Sequence, residues 1–273
     1  MALAPLLHVG HSLGLSSWHL EPTIIAGSLI VLGLYIYQSG RVAEALDEWR
    51  IFAFLCGWLA MFLALASPLD GAAHRLLSMH MLQHVLLTTV GPPLVLLGLP
   101  PPMLEPLLRR PRLAVWLGRV TNPAFTGALF IVNMWFWHVP PVYQTALNHL
   151  SAHILMHVLF MATGVLFWWP VLKTVPNRVS EGARLLYLFV TGFPMELQAL
   201  LLLASGGVIY SYYEDQTGFW GLSAIEDQQI AGLIMGAMGQ IAAFIAITWL
   251  FFRYLDREAV EVPPSRPGPV DAG

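Results

Sequence analysis

Seven stretches of this chain are each apolar enough, over close to the right length, to cross a lipid bilayer, and that restricts the fold more than any other feature. A spanning helix needs about 20 mostly apolar residues, because every backbone amide in hydrocarbon must pair within its own segment. The stretches run approximately from Pro22 to Gln38, Trp49 to Ala66, Ala72 to Gly98, Ala124 to His138, Leu150 to Leu172, Arg184 to Gly206 and Asp227 to Phe252. The fourth is short, so it extends at one end or meets a locally thinned bilayer. The expected fold is an all-α integral membrane protein, a bundle of seven transmembrane helices. Its three parts are an outer N-terminal arm (1–21), the membrane domain (22–252) and a Pro-rich, disordered cytoplasmic tail (253–273). The N-terminal run MALAPLLHVGHSLGL has no Lys or Arg ahead of its apolar stretch and no cleavage site after it, and is read as retained.

Charge gives the direction of threading. Lys and Arg collect in cytoplasmic loops, and all but one of the 13 fall on one side of the seven spans. They are Arg41 and Arg50 after span one, Arg109, Arg110, Arg112 and Arg119 after span three, Lys173, Arg178 and Arg184 after span five, and three arginines beyond span seven. Only Arg75 is on the other side. The N-terminus is therefore expected outside and the C-terminus in the cytoplasm. The arginine-rich third loop suits an amphipathic turn lying on anionic headgroups.

Composition narrows the function. Charged residues are 11% of the chain and apolar ones 57%, against about 25% and roughly 45–50% in soluble domains. With a net charge of −3, no concentrated basic surface remains for nucleic acid. A single cysteine, Cys56, excludes an intrachain disulfide, a CxxC redox pair and a multi-thiolate metal site. The only lysine, Lys173, ends span five, which argues against a retinal protein.

Histidine is the exception to this scarcity of polar groups. There are ten, and in the expected orientation every one is in the outer half. His8, His11 and His19 belong to the arm, His74, His80 and His84 to the start of span three, His138 to the end of span four, and His149, His153 and His157 to the start of span five. His80 and His84 are four residues apart, and His149, His153 and His157 repeat that step. Each set therefore stacks on one helix face with Cβ atoms about 5–6 Å apart. Two imidazoles so spaced can reach one ion, with further ligands from the other helix. An isolated intramembrane histidine is commonly an interhelical hydrogen-bond tie. Two stacked sets on one side favour a metal or cofactor site built from His80, His84, His149, His153 and His157.

Other residues are open to more than one reading. His74 and His138 are additional candidate ligands. Met79 and Met156 adjoin the histidines, and thioether with imidazole suits copper(I) better than hard cations, although methionine is also an ordinary gap-filler. Glu196, beside Pro194 in span six, is an ion ligand, a proton relay or the end of a polar network, since a carboxylate at that depth is costly. Asp227 caps span seven or supplies an oxygen ligand. In span seven, Gly232, Gly236 and Gly239 form a smooth face for close helix approach. The Gly91-Pro92-Pro93 run is expected to end regular helix in span three.

Several of these runs occur together in one family. MHMLQHVLLTTVGPPLVLLGLPPP from Met79, WHVPPVYQTAL from Trp137, HLSAHILMHVLF from His149, FWWPVL from Phe167 and DQQIAGLIMG from Asp227 resemble the polytopic CtaG family of cytochrome c oxidase assembly factors. The resemblance covers spans three to seven. It implies a multi-pass protein of the bacterial plasma membrane, not an enzyme, that helps mature a haem-copper terminal oxidase by handling copper. Oxidase subunits or assembly intermediates and the lipid bilayer would be its partners. A different copper chaperone bearing the CtaG name has one span and a cysteine motif, which this chain lacks. At positions matching these motifs, the residues of interest are His80, His84, His149, His153, His157 and Asp227. Two other functions remain open: a haem-binding membrane redox protein, since histidines from two helices can clamp haem iron, and a copper transporter using Glu196 and the histidines.

Overall fold

A computed structural model describes residues 18–173, 175–216 and 219–261. His8, His11, nearly all of the expected arm and the tail from 262 lie outside the described residues. The described residues contain twelve α-helices and no strand: α1 Pro22–Ser39, α2 Glu48–Ala66, α3 Pro68–Ala73, α4 Leu77–Val85, α5 Gly91–Leu97, α6 Pro101–Leu108, α7 Pro111–Val120, α8 Pro123–His138, α9 Pro140–Asn148, α10 Leu150–Leu172, α11 Glu181–Ala204 and α12 Ala224–Glu261. Proline opens α1, α3, α6, α7, α8 and α9. At a first helical position its missing N–H removes no bond and its fixed φ suits the helix.

Among the described residues, six helical segments are long and apolar enough to cross a membrane: α1, α2, Leu77–Leu97, α10, α11 and α12 up to Asp256. The expected fourth span is α8, whose 16 residues rise only about 24 Å, short of the roughly 30 Å of hydrocarbon. The arginine-rich third loop forms the two short helices α6 and α7. Helix α12 continues to Glu261, past the expected end of span seven at Phe252.

Span three departs from regular helix earlier than its prolines suggest. Between α4 and α5 the residues Leu86–Val90 form one π-helical turn, and α5 then runs through Pro92 and Pro93. Pro92 cannot donate to the carbonyl of Thr88, four residues back. The Trp168 indole N–H takes that place, donating to Thr88 O at 3.1 Å. The neighbouring α10 comes close because residue 164 is glycine: a Cβ there would lie 3.0 Å from Thr88 Cα. At the far end of α5, Arg50 donates to the Leu97 carbonyl at 3.0 Å, and the Lys173 ammonium donates to the Leu99 carbonyl. Cations thus meet orphan carbonyls at a helix C-terminus, where the dipole favours them.

Helix α12 packs along α11 and α4, α10 against α8 and α5, and α2 against α5, while α1 rests on α2. Among the described residues this arrangement leaves three buried clusters, one of them Tyr35, Phe54 and Met103 between α1, α2 and α6, and the other two flank the histidines. Of these two, one is aromatic, with Phe130, Phe160, Phe167, Trp168 and Tyr187. The other joins Leu77 and Met81 to Tyr143, Tyr210 and Tyr213.

Candidate metal centre

The register of α4 and α10 does what the four-residue spacing leads one to expect. His80 and His84 project from α4, and His153 and His157 from α10, into the same interior space. Ring centroids are 4.4 Å apart for His80–His84 and for His153–His157. Across the helices they are 5.5 Å for His80–His153, 5.9 Å for His80–His157 and 5.6 Å for His84–His157. His138, at the end of α8, is 5.9 Å from His84, and His74, following α3, is 5.5 Å from His153. Six imidazoles from four elements therefore converge, and all but His74 are buried.

One ligand nitrogen each from His80, His84 and His157 falls within 4.8 Å of the other two. Nitrogens at about 2.0–2.1 Å from one ion stand on the order of 3.4 Å apart, so the triad would have to close by about an ångström to hold a metal. The donor set is all imidazole, the chemistry of zinc, copper, iron and nickel rather than of magnesium or calcium. Six buried ring nitrogens have no hydrogen-bond partner among the described residues: Nε2 of His80, His138, His153 and His157, and both nitrogens of His84. Unsatisfied buried polar groups cost on the order of 1–3 kcal/mol each, so a cluster of them calls for an occupant.

Neighbouring groups set which nitrogens are available. His138 Nδ1 donates to the Met134 carbonyl at 2.7 Å, which makes Nε2 the lone-pair nitrogen of a neutral ring. His80 Nδ1 lies 3.1 Å from the Tyr213 hydroxyl. Tyr213 in turn donates to the Ala73 carbonyl at 3.1 Å and lies 3.1 Å from the Tyr143 hydroxyl. Burial pushes both phenols well above their usual pKa, and for Tyr213 the charge of Asp227 adds to the effect. With its own proton committed to Ala73, Tyr213 accepts from His80 Nδ1–H and leaves Nε2 of His80 facing the cluster. Losing such an outer partner typically weakens metal binding about 10- to 100-fold. Tyr213→Phe is therefore expected to lower metal affinity by that factor with the stoichiometry unchanged, as read by chelator competition.

Asp227 caps a helix other than its own. Its carboxylate accepts from the Leu77 amide at 2.6 Å, the Ser78 amide at 3.2 Å and the Ser78 hydroxyl. These donors open α4, so Asp227 holds the histidine-bearing helix from 150 residues away. Helix α12 is capped separately: the Ser223 amide donates to Glu226 at 2.9 Å, and the Glu226 amide to Ser223 Oγ at 3.4 Å. That reciprocal pair is a capping box.

The other predicted residues fall as follows. His149 does not join the cluster: it is exposed and precedes α10 with φ −128° and ψ 111°. The four-residue step reaches it in sequence, but helix starts only at Leu150, so the stack stops at His153. Met156 packs into the aromatic core, and Met79 is half-buried. His19 pairs with Asp70 at 2.7 Å. Glu196 lines a cavity that His84 and Gln240 also line. Tyr143 and Tyr213 had no role at the sequence level. Their only signals were the WHVPPVYQTAL run and the tyrosines of VIYSYYEDQ.

The fold and site together define a polytopic helical membrane protein with a buried, imidazole-only candidate metal site. Residues 33–257 match the family described as cytochrome c oxidase caa3 assembly factor, and the chain belongs to that family. Among its curated relatives, an uncharacterized protein of Mycobacterium leprae is 24% identical over 259 residues, 87% of this chain and 39% of that protein. Uncharacterized proteins of Mycobacterium bovis and Mycobacterium tuberculosis are each 24% identical over 257 residues, 86% of this chain and 39% of theirs. The chain thus spans about two fifths of the length of these relatives. No solved structure matches it.

Proposed function

We propose that this chain binds copper(I) through His80, His84 and His157 on the outer side of a bacterial plasma membrane and passes it to a haem-copper terminal oxidase during assembly. The observation that carries the reading is the set of six partnerless, buried imidazole nitrogens around one triad. Membership of a family of cytochrome c oxidase caa3 assembly factors supports an oxidase as the recipient. His153 and the half-buried His74 form the approach to the triad, and His138 flanks it from α8. In this reading α8 completes seven spans with a thinned bilayer around it, the N-terminus is outside, and the basic loops are cytoplasmic. The protein acts on oxidase subunits or assembly intermediates and turns over no substrate.

The packing favours an ion over haem. Two axial imidazoles need a flat slot between them for the macrocycle, whereas these rings stand edge to face with centroids as close as 4.4 Å. A transporter would move copper across the bilayer in sealed vesicles, which an assembly factor does not.

A deletion strain tests the function. Oxidase activity and oxidase copper content are expected to fall, to recover with the wild-type gene, and to stay low with a His80/His84/His157 triple-alanine variant. Normal copper content in the deletion strain would overturn the proposal.

A further inference from the structure

Beside the triad the bundle holds a cavity of about 300 Å³. His84 forms part of its wall. Only one nitrogen of a ring can face an ion shared with His80 and His157, yet both nitrogens of His84 are buried without a partner. His84 belongs to the triad and to the cavity wall alike.

Another stretch of the wall carries Glu196 of α11 and Gln240 of α12. Helix α12 makes room for this carboxylate with Gly236 and Gly239, where a Cβ would come to 3.3 Å from Oε2 and 3.6 Å from Oε1. The thioethers of Met134, Met195 and Met235 also line the cavity. Gly192 lines it too, between Phe189 and Phe193, whose side chains are 75% and 73% exposed on the membrane-spanning α11. The cavity wall thus joins a triad histidine to methionines, a carboxylate and residues of the lipid-facing surface.

We propose that this cavity is a lateral port: copper(I) leaves His84 through it, by way of the methionine sulfurs and the Glu196 carboxylate, and reaches an acceptor within the bilayer. The proposal rests on the reading of the triad as a copper site. Each step is a ligand exchange in which copper stays monovalent, and no electron moves. The carboxylate matters because an unpaired cation is costly in low dielectric, whereas copper(I) with one carboxylate is neutral overall.

The test uses the full chain loaded with copper(I) in phosphatidylcholine vesicles. Copper is then withdrawn by neocuproine, which enters the bilayer, or by bathocuproine disulfonate, which stays in water. In Gly192→Trp the new side chain fills the port, and a Cβ at that position meets nothing within 4 Å. The variant is expected to load one copper ion as wild type does, to release it to the disulfonate at an unchanged rate, and to release it to neocuproine about tenfold more slowly. Glu196→Gln is expected to slow the neocuproine reaction alone, with loading unchanged. Neocuproine rates equal to wild type in both variants would overturn the port and leave the triad standing. A wild-type chain that loads no copper would overturn the triad reading and the port with it.

Discussion

Replacing His84 with alanine is expected to weaken copper(I) binding by more than about a hundredfold, since losing even an outer partner of a metal-bound histidine costs about 10- to 100-fold. His84 is within ring contact of His80, His138 and His157. Its removal leaves His80 and His157 as a pair on opposite helices. His149→Ala is the matched control. That residue is exposed at the start of α10, and its loss is expected to leave affinity and stoichiometry as they are. Competition against a copper(I) chelator of known affinity reads both variants. Equal affinity in His84→Ala and wild type would remove His84 from the site.

The second large effect belongs to Asp227. Asp227→Leu leaves the Leu77 and Ser78 amides buried at the start of α4 with no acceptor. Unsatisfied buried donors at about 1–3 kcal/mol each put the expected loss at about 4 kcal/mol, a large share of the roughly 5–15 kcal/mol that holds a domain folded. Asp227→Asn keeps one acceptor oxygen and should lose less. Thermal unfolding in detergent gives the order wild type, Asn, Leu. The Asn variant, where folded, should still take up one copper ion. A stable Asn variant that binds no copper would instead make Asp227 a ligand.

The spans were legible because hydrocarbon leaves the backbone no freedom: a run of about 20 apolar residues has to be helical. The convergence of His80, His84, His153 and His157 was legible for a related reason, because a four-residue step on a continuous helix fixes a common face. The same rule fails at His149, where the helix has not yet begun. Periodicity carries no information on where the first turn starts, and proline opens α9 but nothing as plain opens α10. The fourth span was visible as short, yet its end at His138 and the turn into α9 depend on Val139 and Pro140 rather than on hydropathy.

What sequence could not supply is contact over long separations. Asp227 reads as a cap for its own helix, because it stands at the start of the apolar run of span seven. Only the packing of α12 on α4 turns its carboxylate toward residues 77 and 78. Tyr213 reaches His80 across 133 positions, from a loop with no periodic pattern. Within the π-helical turn at Leu86–Val90, Trp168 satisfies the carbonyl that Pro92 leaves open, a contact 80 positions long. Gly236 and Gly239 look like a helix-packing stripe, whereas their open side faces Glu196.

Copper K-edge X-ray absorption on the copper(I)-loaded chain tests the convergence of the triad most directly. Three nitrogen scatterers at about 2.0 Å, with the outer-shell pattern of imidazole, are expected for wild type, and two for His84→Ala. A first shell dominated by sulfur, or one that His84→Ala leaves unaltered, would contradict a copper site made by α4 and α10.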